Sequence, residues 1–255
     1  MSTTRLRLVH LYGDLMNLYG DRGNIIALQR RAAWRGIDLE VVDVSIDDRV
    51  DPAESDLLFF GGGQDREQAT VSRDLEAGNG QAIRDAVEDG AALLAVCGGY
   101  QLLGRFFRSA DGAEIAGVGL FDAHTIAGPQ RMVGNLLVRD ALENGHTLVG
   151  FENHSGRTYL GSGVEPLGRV LVGHGNNGQD RLEGARYRAA IGTYLHGPAL
   201  PKNPWLTDWL LLAALRRRLG PDAALVPLDD SAERTAHDRV AERVRREGNV
   251  RTSIR

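Results

Sequence analysis

Residues 91–104 read AALLAVCGGYQLLG, and the fold follows from how that stretch is parsed. Ala91 to Val96 is a run of small and apolar residues of the length of a buried strand. It stops at Cys97, two glycines follow, and Tyr100 to Leu103 open a helix. A buried strand turning sharply into a helix is the elbow that lifts one side chain above the edge of a sheet. Ala95, Gly98 and Gly99 are the small neighbours such a turn demands. The residue at the tip is the only cysteine of the chain. At a helix N-terminus the free N–H groups and the helix dipole favour the thiolate, and the Gly98 N–H would face an oxyanion formed on attack at a carbonyl. The competing reading is an inert core cysteine at the end of an apolar strand, and the rest of the chain has to decide between them.

Working outward, Leu6–Leu11 (LRLVHL) is a first strand, entering the loop YGDLMNLYGDRGN. A helix runs from about Asn24 to Trp34 with Ile25, Leu28 and Ala32 at helical spacing, and Gly36 stops it. Leu39–Val44 and Leu57–Phe60 are further strands, and Gly80–Asp89 a helix before the central strand. This alternation indicates an α/β protein with a mostly parallel sheet. The third strand ends in Gly61-Gly62-Gly63-Gln64-Asp65. Such a turn lies on the sheet edge where α/β proteins bind ligands, and its N–H groups suit an anion or oxyanion. No GK[ST] follows, so it is not a Walker A loop.

Beyond Phe107 the strands become short and glycine-punctuated (GVGLFDAHTIAG, RMVGNLLVRD, TLVGFENHSGRTYLG), which predicts antiparallel additions at the edge of the parallel sheet. Pro166–Gly184 reads as a loop or hairpin, Ala189–Leu195 as a buried strand ending at His196-Gly197-Pro198, and Trp205–Arg218 as a helix with a basic last turn. The organisation is one domain over 1–220 and a charged tail over 221–255, with a solvated helix from Ala232 to Arg246.

With 255 residues, 42% hydrophobic and 25% charged, the chain has the composition of a soluble globular protein. A net charge of −4 argues against a generic nucleic-acid or membrane-surface binder. One cysteine excludes an internal disulfide and a thiolate zinc cluster. The N-terminal residues lack the apolar stretch of a secretory signal and no segment has the length of a membrane span, so the expected location is the cytoplasm. The histidines show no metal-binding spacing.

Three strand ends therefore carry chemically suggestive residues: the glycine turn, Cys97 and His196. In a parallel sheet these ends share one edge. Cysteine with histidine is the arrangement for thiol acyl transfer, His196 acting as base and then acid. Gly62 or Gly63 together with Gly98 would supply the oxyanion-hole N–H groups.

In that order and separation, GGGQD, AVCGGYQLLG and GTYLHG resemble the motifs of class I glutamine amidotransferases. The histidine motif and GFENHSGRT at 150–158 resemble the cobyric acid synthase-type branch. HLYGDLMNLYGDRGN and FFGGGQDREQ resemble, more narrowly, the stand-alone glutaminase subunits of lipid II isoglutaminyl synthases. The resemblance spans roughly Leu8 to Trp209. It implies a flavodoxin-like three-layer fold and hydrolysis of L-glutamine through a thioester on Cys97. It further implies a heterodimer with a Mur-ligase-like synthetase subunit, which would hold ATP and magnesium and amidate the D-glutamate α-carboxyl of lipid II. This chain would then need no cofactor or metal, and would meet the inner membrane face only through the complex.

By the same resemblance Gln101 lines the substrate pocket. Arg131 matches an arginine for the substrate carboxylate, with a surface salt bridge as the competing reading. Many class I members carry a glutamate two residues after the histidine, where this chain has Pro198. The third catalytic group is thus open: Glu152 is the candidate within the chain, and an acid of the partner is the other. Three alternatives stand: a glutaminase serving a cobyrinate-type ligase, a catalytically silent binding module, and a thiol-based redox protein.

Overall fold

The computed structural model describes residues 4–16, 21–142 and 145–253, with side chains as far as 248. Residues 17–20 of the early Gly/Asp/Asn-rich loop lie outside the described residues.

Six strands form the first sheet: β1 (Thr4–Leu11), β2 (Ile37–Val44), β3 (Leu57–Phe60), β4 (Ala92–Val96), β11 (Ala185–Tyr187) and β12 (Ala190–Thr193). Their order is β11-β12-β4-β3-β1-β2, parallel throughout except for β11 on the outer side of β12. LLFF of β3 and ALLAV of β4 are buried at every residue, as central parallel strands must be. Their side chains with those of β1 and β12 form the main core.

Helix α1 (Arg22–Ala33) follows the first loop, α2 (Asp65–Asp74) and α3 (Gly80–Glu88) lie between β3 and β4, and α4 (Gly98–Leu103) leaves β4 directly. Helix α2, which the polar DREQATVSRD does not announce, grows straight out of the glycine turn. Helix α5 (Pro204–Leu219) packs beside α1. The buried guanidinium of Arg31 on α1 ties the two by its ion pair to Asp208, and also pairs with Asp230 further along the chain. At the other end of α5, Arg217 and Arg218 close on Asp56, which is fully buried just before β3.

The first sheet has one antiparallel edge strand, β11, and it lies outside the glycine-punctuated stretches expected to supply such additions. The remaining strands build a second sheet rather than extending the first. It contains β5 (Phe106–Arg108), β6 (Glu114–Ala116), β7 (Ala123–Asp140), β8 (Thr147–Leu160), β9 (Gly168–Val172) and β10 (Leu182–Glu183), ordered β10-β9-β7-β5-β6 with β8 paired to β7. Strands β7 and β8 are 18 and 14 residues long and pair from Ala123↔Leu160 to Arg139↔Thr147, so each spends its edge on the other. Pro166–Gly184 is the hairpin that carries β9 and β10.

Helix α6 (Ser231–Ser253) bears one buried stripe and so differs from the solvated helix expected of its charged sequence. Ala241 and Val244 pack on Leu137 and Val149 of the second sheet, a small core separate from the main one.

Candidate active site

The tip of the β4–α4 elbow is Cys97, held at φ 51° and ψ −106°. A non-glycine residue in the left-handed half of the map costs of order 1–3 kcal/mol and persists only where its surroundings enforce it. The enforcement is visible. Its N–H donates to the Thr193 carbonyl at 2.9 Å, and Gly99 behind it donates to the Gly61 carbonyl at 3.1 Å. A Cβ at Gly99 would lie 2.7 Å from the Phe60 oxygen, so only glycine lets the elbow close on the turn after β3.

The glycine turn is wedged in the same way from the other side. Met16, from the loop after β1, is fully buried against it, and a Cβ at Gly63 would run into the Met16 sulfur. The Gly63 N–H is 2.9 Å from where a Cβ of Gly98 would stand, which brings the two backbones together beside the sulfur. A Cβ on Gly62 would stand 3.4 Å from Cβ of Cys97 and 3.5 Å from Cε1 of His196. Turn, cysteine and histidine thus meet at one point, as their positions at three parallel strand ends require.

His196 follows β12 and is 1% exposed. Its backbone is clipped to β8, with its N–H on the Phe151 carbonyl at 2.8 Å and its carbonyl on the Phe151 N–H at 3.2 Å. The ring lies between Cys97 and a residue that the sequence reading passed over, Asp21. Asp21 is fully buried; its Oδ1 is 3.8 Å from His196 Nδ1, and its Oδ2 accepts the Gly62 N–H at 2.9 Å. Burial works against the imidazolium, but Cys97 first and the carboxylate of Asp21 after it outweigh burial and raise His196 to about 10. Helix α4 has only six residues. The positive charge facing the sulfur is therefore chiefly His196 rather than a helix dipole.

An acid directly before a helix reads as an N-cap. Asp21 occupies the N-cap position of α1 but makes no side-chain cap bond, and its carboxylate turns into the site instead. Glu152 does not reach His196. One of its oxygens takes the His174 N–H and Nδ1, at 2.8 and 2.7 Å, and the other the Gly175 N–H at 2.9 Å. This corrects its candidacy as third acid: the carboxylate is spent on pinning the turn after β9. Gly62 is corrected likewise as an oxyanion donor, since its N–H is committed to Asp21, while Gly63 and Gly98 remain beside the sulfur.

A cleft of about 340 Å³ opens beside Cys97, lined among others by Gly63, Gln68, Gln101, Arg131 and His154. Gln101 is 5% exposed; it accepts from Gln68 at 3.1 Å and donates to the Tyr194 hydroxyl at 3.1 Å. Arg131 sits at the rim with its guanidinium on the side-chain and backbone oxygens of Asn153, at 2.9–3.0 Å. It makes no carboxylate pair that would mark it as a surface salt bridge among the described residues. The described residues contain no cluster of three or more His, Cys, Asp or Glu able to hold a metal ion, and no helix long and apolar enough to cross a membrane.

Residues 7–204 match the CobB/CobQ-like glutamine amidotransferase domain. The chain is 41% identical over 246 residues to the lipid II isoglutaminyl synthase (glutamine-hydrolyzing) subunit GatD of Staphylococcus aureus, covering 96% of this chain and 99% of that one. It is 39% identical to the GatD subunit of Streptococcus pneumoniae, over 89% of this chain and 86% of the other. A cobyric acid synthase of Pelotomaculum thermopropionicum is 35% identical, over 57% of this chain and 30% of its own. Among solved structures, PurLQS of Thermotoga maritima superposes with a TM-score of 0.54 at 20% identity, over 76% of this chain and 88% of that one, a likeness of fold.

Proposed function

The chain belongs to the CobB/CobQ-like glutamine amidotransferase family, and on that premise we propose that it is the glutaminase subunit of a lipid II isoglutaminyl synthase, with Cys97 as its nucleophile. The convergence of Cys97, the glycine turn and His196 within contact distance carries this reading. The sulfur attacks the side-chain amide carbon of L-glutamine. The carbonyl oxygen becomes an oxyanion between the N–H groups of Gly98 and Gly63. His196, protonated and buried, gives its proton to the departing nitrogen, and ammonia leaves with the glutamyl group bound to sulfur as a thioester. His196, now neutral, takes a proton from water, which attacks the thioester; a second oxyanion forms in the same place and collapses to glutamate. Each N–H of such a hole contributes about 3–4 kcal/mol to the transition state. Asp21 stabilises the imidazolium and is the third member that Pro198 leaves open.

The ammonia serves a separate Mur-ligase-like subunit, which holds ATP and magnesium and amidates the D-glutamate α-carboxyl of the lipid II stem peptide. Two relatives named as GatD, matched over most of their length, support this reading. The complex works at the inner membrane face, with the ligase meeting the lipid. The test is glutamate release from L-glutamine by the purified chain, with and without a co-expressed ligase subunit, for wild type and Cys97→Ala. Hydrolysis abolished by Cys97→Ala is the expected result. An intact complex that releases no glutamate overturns the assignment.

A further inference from the structure

Two residues of the cleft wall, His154 and Gln68, each carry a buried acceptor atom that the steps above do not use. The first is on His154 of β8, which is 2% exposed. Its Nδ1 lies 2.9 Å from the Gly156 carbonyl. A carbonyl can only accept, so Nδ1 carries the hydrogen. Burial presses the ring pKa down to about 3, which leaves the imidazole neutral and Nε2 with a bare lone pair. The ring cannot swing away, because it stacks on Tyr194 with centroids 3.6 Å apart and planes 5° from parallel. Among the described residues Nε2 has no hydrogen-bond partner.

The second acceptor is on Gln68 of α2, also 2% exposed. Its amide nitrogen donates to the Gly63 carbonyl at 3.2 Å and to Gln101 Oε1 at 3.1 Å. The Gly63 carbonyl can only accept, so the nitrogen of Gln68 faces it and the Gln68 amide has one consistent orientation. Its oxygen is buried with no partner among the described residues. A buried acceptor left bare is costly, and a pair of them in one cleft calls for a donor that arrives with the ligand.

Glutamine brings two kinds of N–H. The carboxamide belongs at the sulfur and the oxyanion N–H groups, and the α-ammonium five bonds away belongs at the far end of the cleft. His154 is next in the chain to Asn153, on which Arg131 rests at the rim. We propose that His154 Nε2, together with Gln68 Oε1, binds the α-ammonium group of glutamine, while Arg131 takes its carboxylate. This assignment rests on the glutamine reading given above. It makes His154 a neutral reader of a cationic group: no carboxylate is spent, so no extra negative charge is set near the thiolate.

The test compares L-glutamine with 4-carbamoylbutanoate, which is glutamine without its amino group, in the complex with the ligase subunit. For wild type, the deamino substrate has a kcat/KM roughly 10- to 100-fold lower, the range of a hydrogen bond to a charged group. His154→Phe keeps the stack and removes the lone pair. It raises KM for glutamine roughly 10- to 100-fold with kcat little changed, and leaves the constants for 4-carbamoylbutanoate unaltered. His154→Gln restores an acceptor and recovers part of the loss. Equal losses on both substrates would mean a packing role and overturn the proposal, as would an unchanged KM for glutamine. Calorimetric titration of L-glutamine into Cys97→Ser and Cys97→Ser/His154→Phe chains separates the two readings. Equal affinities sink the role of His154 alone. A tenfold weakening supports it, and no binding to either sinks the glutamine reading with it.

Discussion

Replacing Asp21 by asparagine is the sharpest probe of the catalytic arrangement. The change removes one negative charge and keeps an oxygen for the Gly62 N–H, so the glycine turn retains its anchor. The lost interaction is Coulombic, because 3.8 Å between Oδ1 and Nδ1 is beyond a hydrogen bond. At that separation, and an effective dielectric of about 20, unit charges attract by about 4 kcal/mol. The Gly62 N–H already spends part of the carboxylate charge, which leaves about 2–3 kcal/mol. That corresponds to roughly a 30- to 150-fold drop in kcat/KM for glutamine. The same charge helps Cys97 to hold the proton on His196, so its removal moves the ring downward from about 10. Glutamate release by the complex near pH 7.5 reads the first effect. The pH dependence of Cys97 alkylation, or of the His196 ring signals in NMR, reads the second. If Asp21→Asn stays within threefold of wild type and the histidine titration does not move, the third group lies elsewhere, and an acid of the ligase subunit becomes the one to mutate.

Glu183 is fully buried, and burial raises its carboxyl to about 7 despite bonds from the Thr193 hydroxyl and the Tyr194 N–H. A folded pKa above the unfolded value means stability present below about 4.5 and lost as pH climbs through 7. Glu183→Gln keeps the acceptor, matches wild type at pH 4, and is more stable at pH 8 by about 2–3 kcal/mol in urea unfolding; identical midpoints at pH 8 would refute this. Gly99→Ala drives a methyl to within 2.7 Å of the Phe60 carbonyl. It costs about 1–3 kcal/mol in thermal unfolding and, by shifting the elbow, lowers kcat more than tenfold in the fraction that folds; an alanine variant with wild-type kcat would show that the elbow tolerates displacement.

The parallel sheet was legible because its central strands are unbroken apolar runs, LLFF followed by three glycines and AALLAV followed by Cys97 and two glycines. Their ends mark one edge, and the meeting of Cys97, the glycine turn and His196 follows from topology alone. Asp21 was not legible. In a loop of Gly, Asp and Asn an acid before a helix looks like a cap, and only the rotation of its side chain into the core shows otherwise. Glu152 misled for the opposite reason: it shares the buried face of β8 with His154 and Gly156, which belong to the cleft wall or its support, but it lies further back along the strand, where its carboxylate is taken up by His174 and Gly175. The second sheet was hidden by its composition, since β7 and β8 mix polar residues, glycines and one proline with few long apolar runs. Helix α2 was hidden likewise by its charged sequence; its buried residues include Gln68 and Ser72.

The two backbone hydrogen bonds between Phe151 and His196 have a mechanical meaning. Cys97 hangs from β4 at the centre of the first sheet, whereas the histidine is gripped by a strand of the second. Phe151 itself is 38% exposed. A load on β8 therefore reaches His196 through these two bonds, whereas Cys97 is held to the first sheet by its N–H on the Thr193 carbonyl. The gap between acid and nucleophile behaves as a gauge of how one sheet is seated on the other.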